Sequence, residues 1–122
     1  MARVLIVDDS PTETFKITEV LKGSGHEVLT ASGGEEGVAI AKKELPDLVL
    51  MDVVMPGING FQATRQLTKN PSTAHIPVII VSTKDQETDR LWGKRQGAKG
   101  YLTKPIDAKS LADAVASALA EK

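Results

Sequence analysis

Three short apolar runs constrain this chain most: Val-Leu-Ile-Val at 4–7, Leu-Val-Leu-Met at 48–51 and Val-Ile-Ile-Val at 78–81. A strand with one wet face alternates apolar and polar residues, so an unbroken run needs cover on both faces, as strands of a parallel sheet have. Two weaker segments of similar length, 27–31 and 100–102, join them. Between the runs, apolar residues fall at helical spacing: Ile17, Val20 and Leu21; Val38, Ala41 and Leu45; Leu111, Val115, Ala118 and Leu119. Gly23, Gly25, Gly97 and Gly100, with Pro46 and Pro77, punctuate the joins. The pattern is β-α repeated five times. It predicts a doubly wound α/β fold, with a five-stranded parallel sheet and helices on both faces, as one domain over residues 1–122.

Such sheets bind ligands beyond the carboxyl ends of their strands, near the point where strand order reverses. The informative residues therefore follow each run: Asp8 and Asp9 after the first, Asp52 after the third, Ser82 and Thr83 after the fourth, Thr103 and Lys104 after the fifth. Three carboxylates at one rim repel by several kcal/mol at about 4 Å in an effective dielectric near 20. A divalent cation removes that repulsion, and an all-oxygen ligand set left incomplete by the protein favours Mg²⁺. A carboxylate beside Mg²⁺ is a nucleophile towards phosphorus, and Asp52, at the end of the most central-looking strand, is the candidate. Lys104 would pair with phosphate oxygens and the Ser82 hydroxyl would hydrogen-bond to them. Neither His26 nor His75 falls at a strand's carboxyl end, and both read as surface or loop residues. Trp92, the one tryptophan, lies in the expected fourth helix, either half packed or contacting a partner.

Fifteen basic and 16 acidic side chains leave a net charge of −1, so no overall field favours nucleic acid or an anionic membrane. There is no cysteine, which removes disulfides and thiolate chemistry and suits a reducing cytosol. The opening MARVLIV is too short an apolar run for a signal peptide, and no stretch is long enough to span a bilayer. A soluble, cytoplasmic protein is expected. The sequence stops at Lys122, soon after the last helix, so no output domain is expected and output would pass through another protein.

The segments VLIVDDS, LVLMDVVMPGINGF, PVIIVST and GAKGYLTKP follow one another in the order, and at the strand ends, of bacterial two-component receiver domains. The chain resembles that family along its whole length. The resemblance implies the flavodoxin-like, CheY-like (βα)5 fold and Asp52 as phosphoacceptor. Asp9, Asp52 and the backbone carbonyl of Val54 would ligate Mg²⁺ directly, and Asp8 would act through metal-bound water. Ser82 would move to contact the phosphoryl group, Lys104 would be its cationic partner, and Tyr101 would rotate inward on phosphorylation. The Lys104–Pro105 peptide would be cis.

The implied donor is a CheA-like histidine kinase or its phosphotransfer domain, and the effector is an unidentified protein. The chain would be a signalling domain that catalyses its own phosphotransfer and autodephosphorylation, not a turnover enzyme. Within the family it looks most like single-domain regulators of type IV pilus chemosensory pathways, which control twitching motility. Output would leave through the fourth helix, fifth strand and fifth helix, with Trp92, Lys99 and Tyr101 on that face. Thr83 stands where many receivers carry alanine or glycine, and Val54 and Lys84 flank the path of attacking water. An aliphatic side chain at Val54 cannot orient water, so Lys84 and Thr83 are expected to govern autodephosphorylation.

Rival readings remain. A haloacid dehalogenase-type phosphatase would show a DxD arrangement at the first strand, whereas Asp8 and Asp9 are adjacent. A flavodoxin-like nucleotide binder would offer hydroxyls and amides there instead of two acids. A phosphate sink for a shared kinase, or a chemotaxis-type regulator of another pathway, stays open.

Overall fold

The computed structural model describes residues 1–121. Five strands, β1 (Arg3–Val7), β2 (Glu27–Ala31), β3 (Leu48–Met51), β4 (Val78–Ser82) and β5 (Gly100–Thr103), alternate with five helices. The helices are α1 (Pro11–Gly23), α2 (Gly34–Glu44), α3 (Gly60–Lys69), α4 (Glu87–Arg95) and α5 (Ala108–Ala120). The strands form one parallel sheet in the order β2-β1-β3-β4-β5. The order reverses between β1 and β3, and β3 is the middle strand, the centrality expected of it from the sequence.

The unbroken apolar runs are explained by cover on both faces. Leu5 and Val7 of β1, with Val49 and Met51 of β3, point into a core shared with Val38 and Ala41 of α2 and Ala63 and Leu67 of α3. Their neighbours Val4, Ile6, Leu48 and Leu50 point the other way, against Ile17 and Leu21 of α1 and Leu111 and Val115 of α5. Alternate side chains thus fill two separate cores, so neither phase of the strand can be polar.

The helix starts are locally encoded. The Ser10 hydroxyl accepts the Glu13 N–H, Asn59 and Gln62 form a reciprocal capping box, and Asp107 accepts the Ser110 N–H. One helix end differs from the expected pattern. Leu45 does not extend the apolar face of α2: it is the C-cap, left-handed at φ 48°, and 48% exposed. Pro46 follows it and disfavours a right-handed helical conformation at residue 45, so the chain turns before Leu45 can reach the core.

The fourth helix is the least anchored. Gly93 is its only buried residue, while Leu91 and Trp92 are each 49% exposed. Beneath it lies a small separate cluster of Val53, Phe61 and Ile80, joined by Ala98 and Tyr101. No helix among the described residues is long and apolar enough to cross a membrane.

Candidate functional site

The switch in strand order places the ends of β1 and β3 side by side, with Val7 in register with Met51. The next residue of each strand is an acid whose backbone is still tied to a neighbour. The Asp8 N–H donates to the Ala31 carbonyl at 3.0 Å and the Asp52 N–H to the Val7 carbonyl at 2.9 Å. Asp8, Asp9 and Asp52 consequently converge, each offering a carboxylate oxygen within 4.8 Å of the others.

The three are not equivalent. Asp8 and Asp52 are buried and Asp9 is exposed. Asp8 accepts the Ser10 N–H and the Lys104 ammonium, each at 2.8 Å. One Asp52 oxygen, Oδ1, accepts the Val53 N–H at 2.9 Å and lies 3.6 Å from Lys104 Nζ. Lys104 reaches this rim from beyond β5, its own N–H donating to the Ser82 carbonyl at 2.8 Å and its peptide bond to Pro105 cis.

The electrostatics follow from this crowding. Burial and the neighbouring Asp8 charge push the Asp52 carboxyl up from 3.8 to about 6, against the opposing pull of Lys104 and the Val53 N–H. For Lys104, burial works against the ammonium, but its hydrogen bond to Asp8 and the charges of Asp52 and Asp8 outweigh that and hold its pKa above the ordinary lysine value. Three carboxylates against one ammonium leave two negative charges uncompensated when all are ionised (−3 + 1 = −2). An all-oxygen set with that excess fits a hard divalent cation of the Mg²⁺ type. Neither histidine contributes. His26 accepts the Ala2 N–H through Nδ1 at the far end of the sheet, and His75 is exposed before β4.

Of the remaining expected residues, Ser82 ends β4, Thr83, Lys84 and Val54 follow strand ends, and Tyr101 lies within β5. Ser82 is fully buried at the end of β4, and its Oγ accepts the Lys84 N–H at 3.1 Å. Thr83 and Lys84 are exposed beside it, and Val54 is 58% exposed beyond Asp52. The Tyr101 hydroxyl donates to the Lys84 carbonyl at 2.6 Å.

Three residues escaped the sequence reading. At Gly60, α3 begins so close over the site that a Cβ there would strike the backbone carbonyl of Asp52. Glu13, on α1, acts electrostatically on Lys104, and its Oε1 is buried with no hydrogen-bond partner among the described residues. Phe15 stands 66% exposed on α1, beside a groove of about 550 Å³ lined also by Asp8, Asp9, Thr18 and Glu36. Its one available signal was an aromatic residue off the apolar stripe of its helix.

Residues 4–116 match the response regulator receiver domain family. Protein PilH of Pseudomonas aeruginosa is 64% identical over 120 residues, which span 98% of this chain and 99% of that protein. A solved chain from Chloroflexus aurantiacus, described as a response regulator, superposes with a TM-score of 0.94 at 34% identity, covering 98% of each chain. Chemotaxis protein CheY4 of Vibrio cholerae superposes with a TM-score of 0.91 at 31% identity, covering 97% of this chain and 98% of its own.

Proposed function

This chain belongs to the response regulator receiver domain family, and from that premise we propose that it takes a phosphoryl group from a histidine kinase onto Asp52. The observation that carries the proposal is the convergence of Asp8, Asp9 and Asp52 with the Lys104 ammonium, 2.8 Å from Asp8 and 3.6 Å from Asp52.

With a pKa of about 6, Asp52 is about nine-tenths ionised at pH 7, so no general base need act on it. The Val53 N–H holds Oδ1, which leaves Oδ2 to attack. The new bond runs from that oxygen to phosphorus as the phosphorus–nitrogen bond of the donor phosphohistidine breaks and its imidazole leaves with the electron pair. Lys104 is shared between two carboxylates and stands where negative charge gathers on the transferred oxygens. Ser82, at the end of the adjacent strand, would donate its hydroxyl to one of those oxygens, and Tyr101 would follow the loop that Ser82 draws in. Mg²⁺, held by Asp9, Asp52 and the Val54 carbonyl with Asp8 in its outer sphere, would supply the remaining charge neutralisation.

The likeness to PilH, 99% of whose length is covered, supports a single-domain regulator acting in the cytoplasm, with its output passed to another protein through the α4–β5–α5 face. The likeness to PilH supports a CheA-like donor and a place in type IV pilus control of twitching motility. Transfer of labelled phosphate from a CheA-like kinase tests the proposal. Wild type should label in Mg²⁺ and not in EDTA, and Asp52→Asn should not label in either. Equal labelling of the variant would overturn it.

A further inference from the structure

Arg90 connects α4 to β5. Its Nη2 donates to Thr103 Oγ1 at 2.9 Å, its Nη1 makes a longer contact of 3.4 Å with the Tyr101 carbonyl, and its guanidinium carbon lies 5.0 Å from the centre of the Tyr101 ring. That distance is within cation–π range. One helical turn later comes Gly93. A Cβ there would lie 3.4 Å from the Tyr101 ring and 2.8 Å from Ile80 Cδ1. The ring therefore packs beside the helix backbone with a cation over its face, next to the point where a Cβ would collide with Ile80. So held, its hydroxyl donates to the Lys84 carbonyl at 2.6 Å, and the Lys84 N–H donates to Ser82 Oγ at 3.1 Å.

These contacts form one line, Thr103–Arg90–Tyr101–Lys84–Ser82, from the end of β5 to the end of β4. Both ends are rims of the acidic site. The line matters because α4 has little else to fix it: its single buried residue is Gly93. An unfixed α4 would leave the loop from 83 to 86 held, besides its covalent ends, by the Lys84 N–H on Ser82 Oγ and the Tyr101 hydroxyl on the Lys84 carbonyl.

We propose that Arg90 is a positioning residue for phosphoryl acceptance: its guanidinium, anchored on Thr103 and stacked on Tyr101, holds the phenol on the Lys84 carbonyl and so keeps Ser82 and its loop arranged for the phosphoryl group. The proposal rests on the reading of Asp52 as acceptor. It differs from a charge on the output face in what it predicts for the unphosphorylated protein, where no partner is present.

The full chain is compared with Arg90→Ala, Arg90→Lys and Asp52→Asn. Tyr101 is the only tyrosine, so its ring resonances are read without ambiguity. In Arg90→Ala they should move towards the values of a solvent-exposed tyrosine, and labelling by acetyl phosphate in Mg²⁺ should slow roughly three- to tenfold, the size expected for losing one stacked cation and its hydrogen bond. Arg90→Lys keeps a charge near the ring but loses the guanidinium's hydrogen bond to Thr103, and should fall between the two. Unchanged ring resonances in Arg90→Ala overturn the proposal, as does a ring shift with no change in labelling rate. Equal labelling of wild type and Asp52→Asn defeats the acceptor reading instead, and the ring resonances alone then decide whether Arg90 holds Tyr101.

Discussion

Asp52→Asn should make the fold more stable at neutral pH when no divalent cation is present. The carboxyl titrates at about 6 in the folded chain against an ordinary 3.8, chiefly because it is buried and faces Asp8. Between those two pH values the folded state binds the proton and the unfolded state does not. Stability therefore falls as pH rises: the contribution is fully present below 3.8 and is lost by the time pH has passed through about 6. A difference of about two pH units at roughly 1.4 kcal/mol each sets an upper bound near 3 kcal/mol, and water at the open rim lowers this to about 1–3 kcal/mol. Asparagine keeps an oxygen for the Val53 N–H and carries no charge, so the variant should regain most of that amount.

Urea unfolding in EDTA reads the effect. With a slope of about 2 kcal/mol per molar urea, the midpoint of Asp52→Asn should lie roughly 0.5–1.5 M above wild type at pH 7.5. The gap should grow between about pH 4 and pH 6 and level off above. Added Mg²⁺ should stabilise wild type more than the variant and narrow the gap, because a ligand bound only by the folded state adds stability by mass action. A variant midpoint at or below wild type in EDTA at pH 7.5 would refute the reasoning, since Lys104 would then outweigh burial and Asp8 together.

Two further outcomes are expected. Leu45→Asn should raise stability by about 0.5–1 kcal/mol in the same unfolding assay, because asparagine tolerates the left-handed conformation that leucine adopts there at a cost, and the leucine side chain is already half exposed. Lys84→Ala and Thr83→Ala should each change the decay rate of the phosphorylated protein, since both side chains are exposed beside Ser82 on the approach to Asp52; decay unchanged in both variants would show that neither governs access of water.

The central strands were legible because burial on two faces leaves a mark that needs no partner to interpret: 48–51 is a strand over those same residues, all of them buried. The acids at the rim were legible for a related reason, since in a parallel sheet every strand delivers its carboxyl end to the same side. Leu45 was misplaced because helical spacing carries no information about where a following proline ends the helix. Arg90 was invisible for another reason. As a sequence it is one charge among several on a polar helix, and only the approach of α4 to β5 gives it Tyr101 and Thr103, 11 and 13 residues away. The pairing of Asp8 with Lys104 spans 96 residues. Their meeting at one rim followed from the fold class, but the direct hydrogen bond, and with it the proton affinity of Asp52, depended on packing that no local pattern records.

Asp52 is the proposed carrier of the phosphoryl group. Phosphorylation with acetyl phosphate in Mg²⁺, reduction of the acyl phosphate with borohydride and peptide mass mapping measure this most directly. Reduction should convert Asp52 to homoserine, with Asp8 and Asp9 unchanged. Reduction at Asp8 or Asp9, or label that survives borohydride on Ser82 or Thr83, would place the acceptor elsewhere than Asp52.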